Sequence, residues 1–410
     1  MTDCLSMNLS SPEKRSDNCD SDKTVAQGCI DKDHEMRVGI DAHCLGQKKT
    51  GNETYTYSLV KHLSLLEQDG IDYIVYLSDR GEEQSHSFSN TFVSSKLLRP
   101  NNPLIRIPIG FAIESRVDKL DVLHAQYLLP LHLRCRTVLS VFDILYERYP
   151  EFFTKSHYYR HKIGVRWSCQ KADHVITISE SSKRDLVELY GLDPERITVT
   201  YLGPDECYRL LDQTQAKRQL KENYGIEEDF ILYVGAIQPR KNIPRLLSAF
   251  AQMKSERHSK HKLVIVGPRA WLSQDAFRAL EDSPVRKDVI LTGYVPRGDL
   301  PYFYNAAAVF VFVSMCEGFG LPVVEAMACG TPTITSRGSS LEEIAGEAAI
   351  LIDPRDSGSI AAAMGKVLSD SDLRARLRSL GLARSKEFSC EKMASQTQAI
   401  YRRLSSCGRN

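Results

Sequence analysis

From Met36 onward the chain alternates short runs of Val, Ile, Leu and Tyr with longer stretches whose apolar residues recur every three or four positions. The short runs have the length of buried strands and the longer ones that of amphipathic helices, so their alternation predicts βαβ units and parallel sheets. In the first half the strand candidates are RVGIDA, IDYIVYL, DVLHA, TVLSVF, HVITIS and ITVTYL, with helices predicted over residues 53–68 and 181–190. The second half repeats the theme with FILYVGAI, KLVIVG, VILTGY, VFVFVS, TPTITS and AAILI. The pattern therefore predicts an α/β chain of two Rossmann-like, doubly wound parallel-sheet domains facing a central cleft. Gly203, Pro204 and Asp205 follow the last strand of the first set and precede a polar helix near Gln213, so the boundary is drawn there. The expected division is a tail over 1–35, a first domain over 36–205 and a second over 206–389. A C-terminal segment, 390–410, completes it, with a helix over 390–404 crossing back to the first domain.

Length and composition fit this picture. A chain of 410 residues exceeds one ordinary core and suits two. The formal net charge of +1 gives no basic surplus for a nucleic-acid partner and no acidic tail. The eleven cysteines are odd in number and contain no C-x-x-C pair, which argues against a disulfide framework and a zinc site. They read as reduced, structural thiols. The longest apolar run, 306–313, is far shorter than the ~20 residues of a membrane-spanning helix. Residues 1–35 are polar and lack an apolar signal core, so a disordered tail and a cytoplasmic location are expected, with Met36 offering a second start of translation.

Two segments carry the candidate chemistry. VSMCEGFGLPVVEAMACGTPTITS, residues 313–336, reads as a strand, a loop with two glycines, and a helix with Pro322 in its first turn that ends before Gly330. A loop running into a helix start supplies free backbone N–H groups and a positive dipole end, both suited to a diphosphate. Gly318 and Gly320 are expected to let the ligand come close. Glu317 stands before the loop and Glu325 a turn into the helix, placed to grip two parts of one ligand. Taken alone, two glutamates at this spacing are as readily a charged loop residue and a solvated helix residue. Val323, Val324, Ala326 and Met327 change that reading, because a glutamate buried among them needs hydrogen-bond donors such as sugar hydroxyls. The second segment is LYVGAIQPRKNIPRLLSAF, residues 232–250. Arg240 and Lys241 lie just ahead of a helix whose cap is read as Asn242, with Pro244 in its first turn. Two cations and a helix start thus converge on one point, although an Arg-Lys pair in isolation is more often a basic surface turn.

The segments G-x-x-x-x-R-K-N (235–242) and E-G-F-G-L-P-x-x-E (317–325) resemble glycosyltransferase family four, the group 1 retaining glycosyltransferases of GT-B fold, and the resemblance runs from Met36 to the C-terminal helix. It implies that Arg240 and Lys241 bind the donor diphosphate. Glu317 and the amides of Phe319 and Gly320, beside Leu321, would hold the donor sugar, and Glu325 the ribose hydroxyls. LTGYV resembles the family's base-binding turn, bringing in Tyr294 and Val295. DVLHAQY resembles the strand end where the family places a cleft histidine, here His124, which without the resemblance would read as a satisfied core residue. In SVFDILYERYP the family often has His-Asp, where this chain has Phe142 and Asp143. TGNETYTYSLV, 50–60, resembles the family's glycine-rich loop but keeps only Gly51, with Glu53 at the second glycine, so a differently bent loop is inferred.

The resemblance further implies transfer of a hexose from a nucleotide-sugar to a glycan, lipid-linked or small-molecule acceptor, with retention at the anomeric carbon. A lean toward mannose from GDP-mannose rests only on how common that donor is in the family; glucose from UDP-glucose is the alternative. The Asp-x-Asp pairs, Asp20/Asp22, Asp31/Asp33 and Asp370/Asp372, fall in tail or helix-linker sequence, so no metal and no cofactor is expected. An epimerase or phosphorylase would need a catalytic group that nothing here identifies. A non-catalytic partner subunit would not need the intact set of Glu317, Glu325, Arg240 and Lys241. Finally, residues 152–171 mix aromatic and basic residues at helical spacing. A core-facing helix with a solvated basic side is favoured there over peripheral contact with an anionic membrane.

Overall fold

The computed structural model describes residues 35–46, 50–66, 70–78, 93–99, 102 and 105–406. The tail expected over 1–35 and the pairs Asp20/Asp22 and Asp31/Asp33 lie outside the described residues, save Glu35. In the first lobe, β1 (Met36–Asp41), β2 (Ile71–Leu77), β3 (Val93–Leu97), β4 (Val122–Gln126), β5 (Arg136–Ser140), β6 (His174–Thr177) and β7 (Ile197–Val199) form a seven-stranded sheet in the order β3-β2-β1-β4-β5-β6-β7. In the second, β8 (Phe230–Val234), β9 (Lys262–Val266), β10 (Val289–Gly293), β11 (Val309–Phe312), β12 (Thr333–Ser336) and β13 (Ala349–Ile352) form a sheet ordered β10-β9-β8-β11-β12-β13. Every pairing is parallel. This is the doubly wound pair of sheets that the apolar runs predict, with one strand more than foreseen. That strand, β3, sits at the sheet's edge with Ser94 and Ser95 exposed, so it carries no apolar run. By contrast β4, β8, β11 and β12 are buried throughout, as strands covered on both faces must be.

Helix boundaries follow local chemistry. Helix Glu180–Tyr190 begins at Ser179, whose side chain accepts the Ser182 N–H, and ends at Gly191 in the left-handed region. The helix predicted over 53–68 runs from Thr50 to Leu65. The segment likened to a glycine-rich loop is therefore its first turns. Glu53 needs no positive φ there: it lies in the first helical turn, where the dipole favours a carboxylate, and accepts the Gly46 N–H at 2.9 Å. Helix Lys155–Lys171 turns Val165, Ser168 and Cys169 inward and leaves Tyr159, Arg160, Ile163 and Arg166 exposed. No helix among the described residues is long and apolar enough to cross a membrane.

Residues from Glu35 onward form one compact unit, so the crevice between the sheets belongs to a single body. The C-terminal helix Cys390–Ser406 buries Met393, Ala394, Thr397, Ile400 and Tyr401, packing on helix Thr50–Leu65 and on β4 and β5. The chain thus passes between the lobes twice, once after β7 and again ahead of Cys390. The two crossings touch at Gly203, where an added Cβ would stand 2.7 Å from the Cys390 nitrogen and 2.9 Å from the Phe388 oxygen. Backbone atoms cannot rotate away as a side chain can. Gly203→Ala is expected to destabilise the fold by about 1–3 kcal/mol, the usual cost of overpacking, read as a lower thermal midpoint; an unchanged midpoint would show that the crossings are not in tight contact.

Candidate active site in the crevice between the sheets

In the second sheet β8 and β11 are neighbours, yet the chain leaves β8 toward β9 and leaves β11 toward β12. Such a switch point opens a crevice at the carboxyl ends of the strands, where ligands of doubly wound sheets bind. The two loops that border it are the two segments singled out in the sequence. The turn Pro239–Lys241 follows β8, and Glu317 to Gly320 follow β11.

There Glu317 accepts hydrogen bonds from Lys241 Nζ at 2.6 Å and from Arg240 Nη1. Arg240 also reaches the Cys316 oxygen, and Lys241 Nζ lies 4.5 Å from the centre of the Phe312 ring. Only 8% of the Glu317 side chain and 9% of the Lys241 side chain meet solvent, so the charges are effectively inside the protein. Burial opposes the Glu317 carboxylate, but Arg240 and Lys241 outweigh it and hold its pKa down at about 2. Burial lowers Lys241 to about 8; Glu317 counters and Arg240 adds to the lowering. Below that pH these three groups of the second lobe carry two cations and one carboxylate, a surplus of one positive charge that the Asp143 carboxyl of the first lobe faces. Asn242 occupies the cap position but does not cap with its side chain. Its backbone is left-handed, at φ 60°, and its Nδ2 donates to the Val313 and Pro354 oxygens, tying the Arg-Lys turn to the β11 loop.

The loop is held by its carbonyls. Ser340 Oγ lies 2.7 Å from the Glu317 oxygen and 3.0 Å from the Phe319 oxygen, while Ser179 Oγ, from the first lobe, lies 2.7 Å from the Gly318 oxygen. No acceptor among the described residues meets the N–H of Gly318, Phe319 or Gly320. The glycines also meet a demand that the sequence did not reveal. A Cβ on Gly318 would stand 2.9 Å from Asp143 Cβ and Oδ2 and 3.0 Å from the Phe142 oxygen, and one on Gly320, at φ 107°, 2.4 Å from Leu341 Cδ2. Protein packing, across the crevice at 318 and beneath the loop at 320, demands the missing side chains.

The remaining predicted residues divide. Glu325 is buried in helix Leu321–Ala328, and a protein hydroxyl, Tyr304 at 2.9 Å, donates to it where sugar hydroxyls were anticipated. Burial raises its pKa against the pull of Tyr304 and Arg297. Val295 is buried and Tyr294 is 57% exposed; beyond them Arg297 pairs with Asp205 at 3.1 Å. Phe319 turns its ring away, 5.9 Å from Phe388, and Leu321 opens the helix half-buried. Gly51 lies exposed in the first turn of helix Thr50–Leu65, and no hydrogen bond or ring contact among the described residues joins it to the Glu317 cluster.

His124 is not a cleft residue. It is 2% exposed, with Nδ1 2.5 Å from the Tyr401 hydroxyl and Nε2 2.7 Å from Ser140 Oγ, and burial pushes its pKa down to about 3. It lies two residues inside β4, whose carboxyl end is instead marked by Gln126 and by Tyr127 at φ 58°, a strained value for a side-chain-bearing residue. Tyr127 packs on Phe142 with ring centres 5.4 Å apart. Asp143, its pKa raised by burial against the attraction of Arg240, faces the second lobe at Gly318. Sequence reasoning passed over Tyr127, Ser179, Ser340 and Glu343. The only available signal was the Ser-x-x-Ser ahead of a helix, which reads as an ordinary cap. Asp370 likewise proves to be a cap, accepting the Leu373 N–H at 2.9 Å.

Two parallel doubly wound sheets closing on one crevice, with a cation-lined switch point, define the GT-B class of sugar transferases. Residues 216–382 match the family model described as glycosyl transferases group 1, and residues 50–206 match glycosyltransferase family 4. The chain belongs to this family. It is 33% identical over 269 residues to O-antigen chain mannosyltransferase B of Escherichia coli, covering 66% of this chain and 71% of that protein. It is 31% identical over 223 residues to the serotype-specific mannosyltransferase WbdA of Escherichia coli, spanning 54% of this chain but only 27% of WbdA. The crystal structure of Anabaena HepE in complex with UDP and glucose superposes with a TM-score of 0.70 at 20% identity, over 90% of this chain and 100% of that one. That likeness shows the shared fold.

His124→Ala is expected to leave the Tyr401 hydroxyl without its histidine partner and Ser140 Oγ with Tyr55 alone, and to cost about 1–3 kcal/mol in denaturant unfolding, with kcat within about threefold of wild type. A kcat loss of a hundredfold at full folding would restore the histidine to the reaction. Since the folded pKa of about 3 lies below the ordinary 6.5, the stability His124 contributes is present above pH 6.5 and is lost as the pH falls from there toward 3. Unfolding curves of wild type and variant should converge through that window.

Proposed function

We propose that the protein is a hexosyltransferase that moves mannose from GDP-mannose to a hydroxyl of a glycan, lipid-linked or small-molecule acceptor, with retention and without a metal. The observation that carries this reading is the buried cluster of Arg240, Lys241 and Glu317. Its one surplus positive charge lies next to the amides of 318–320, which meet no acceptor among the described residues, at the switch point of the second sheet. A nucleotide-sugar answers both features at once, its diphosphate meeting the cations and its sugar hydroxyls the amides. Charge-assisted hydrogen bonds of ~1.5–3 kcal/mol each would hold the diphosphate. As the sugar departs, negative charge builds on that same group, so the cations stabilise the transition state more than the ground state. The Tyr233 hydroxyl, buried with no partner among the described residues and within the electrostatic reach of Glu317 and Arg240, offers one further donor.

In the retaining step the acceptor oxygen bonds to the anomeric carbon on the face the diphosphate leaves. The carbon–oxygen bond to phosphate breaks, and the acceptor proton passes to a leaving phosphate oxygen. No side chain acts as nucleophile, and Arg240 and Lys241 supply the charge a divalent cation would bring. Glu325 takes the ribose and the turn at Tyr294 and Val295 the base. Two relatives named as mannosyltransferases support the mannose assignment. The UDP and glucose held by HepE make glucose from UDP-glucose the alternative donor. A cytoplasmic site of action agrees with the buried thiols of Cys44, Cys169, Cys316, Cys329 and Cys390. Tyr159 and Ile163, exposed on the same helix as Arg160 and Arg166, suit peripheral contact with an anionic membrane carrying the acceptor.

Release of nucleoside diphosphate from a panel of nucleotide-sugars, with and without chelator, tests the reading. Turnover should survive chelation, and Lys241→Ala and Glu317→Ala should each lower it at least ~100-fold, equal to about 2.7 kcal/mol. No turnover of any donor with any acceptor would favour a scaffold subunit. Because Lys241 sits near 8 in the free protein, kcat/KM should fall above about pH 8 as the ammonium loses its proton, and Lys241→Arg should move that limb upward. Sedimentation with liposomes should require anionic lipid and weaken when Tyr159 and Ile163 are both changed to serine.

A further inference from the structure

We infer that Ser179, in the first lobe, is a positioning residue that sets the orientation of the Phe319 amide in the second lobe, so that the donor loop is complete only when the crevice is closed. This rests on the loop 317–320 being the donor site, and goes beyond that reading by assigning part of its geometry to the opposite lobe.

In a trans peptide the carbonyl and the following N–H point in opposite directions, so whatever holds a carbonyl also aims the next amide. Three successive carbonyls matter here. Ser340, next to the loop in the second lobe, lies within hydrogen-bond reach of the Glu317 and Phe319 oxygens; its one proton is shared between them, and it thereby restrains the Gly318 and Gly320 amides. The middle carbonyl, Gly318, is held at 2.7 Å by Ser179 across the crevice, and that bond aims the Phe319 amide. The hydroxyl protons can be assigned once each. Ser179 donates to Gly318 and accepts the Ser182 N–H at 3.0 Å, while Ser182 donates to the Phe142 oxygen at 2.8 Å. Ser182 so fixes the backbone of Phe142 and Asp143, against which Gly318 packs with no room for a side chain.

A second contact holds Ser179 in place. The N–H groups of Glu180 and Ser181, in the helix Ser179 opens, donate at 2.8 and 2.9 Å to the two carboxylate oxygens of Glu343 in the second lobe, and the Tyr201 hydroxyl joins them at 2.9 Å. Ser340 and Glu343 share the helix Ser340–Ala345. The element that sets two of the amides thus also seats the helix that sets the third.

The test compares Ser179→Ala, Ser179→Thr and Ser179→Asp with wild type. Alanine removes both the donor and the helix cap, threonine keeps both, and aspartate keeps the cap acceptor but cannot donate to Gly318. Expected are a kcat about tenfold lower for alanine and aspartate, the worth of one hydrogen bond, recovery in threonine, and affinity for the released nucleoside diphosphate within about threefold throughout. Wild-type kcat in the alanine or aspartate variant would overturn the inference, as would a loss confined to nucleotide affinity. Small-angle scattering adds a readout that needs no turnover: the alanine variant should have a larger radius of gyration than wild type, and an equal one would also overturn it. If wild type turns over no nucleotide-sugar while the alanine variant still opens, the proposed function fails and the contact between the lobes stands.

Discussion

The burial of one carboxylate between two cations organises the second lobe. Glu317 could not be ionised in this interior alone, nor could Arg240 and Lys241 share so small a space without it; each charge is tolerable only because the others are present. The pairing joins the loops after two adjacent strands that run to opposite sides of the sheet, and so fixes the width of the crevice between them. An ion pair of this kind adds little net stability. Its consequence is arrangement: a fixed positive surplus whose neighbours cannot rotate away, ready before any ligand arrives.

Around that centre, polar groups are arranged by where their hydrogen bonds already go. The loop carbonyls are occupied by serine hydroxyls, so the amides are left over and face the other way. Glu325 is met by Tyr304, and Asn242 is spent on two backbone oxygens. The first lobe contributes shape as well as bonds. Phe142 lies with its ring 4.5 Å from Tyr55 and 5.4 Å from Tyr127, so the position where the family often carries histidine has become part of an aromatic wall. Asp143 remains beside it, a carboxyl facing a guanidinium across the gap.

How much of this was legible in the sequence follows from the range of the interactions involved. All six strands of the second sheet could be read because each keeps an apolar run, fully buried in β8, β11 and β12 and half-buried even at the edges in β10 and β13, whereas β3, solvated at its edge, left none. Arg240, Lys241 and Glu317 could be read because they fall in the two segments that carry the family resemblance, each following an apolar strand run. His124 was misplaced because nothing near it reveals that its partner is Tyr401, 277 residues away. The reason for glycine at 318 and 320 was equally hidden, since the atoms that would collide belong to Asp143, Phe142 and Leu341. Glu53 was judged as a loop residue because the start of a helix could not be fixed to within three positions.

The double passage at Gly203 and Cys390 carries a mechanical consequence. A single connecting strand would let the lobes swivel freely, but two strands lying against each other act as a pin along one line, leaving opening and shutting as the easy motion and resisting torsion. Because the returning strand ends in a helix anchored by Tyr401 beneath the first sheet, the last residues of the polypeptide are part of the bearing on which the opposite half of the molecule turns.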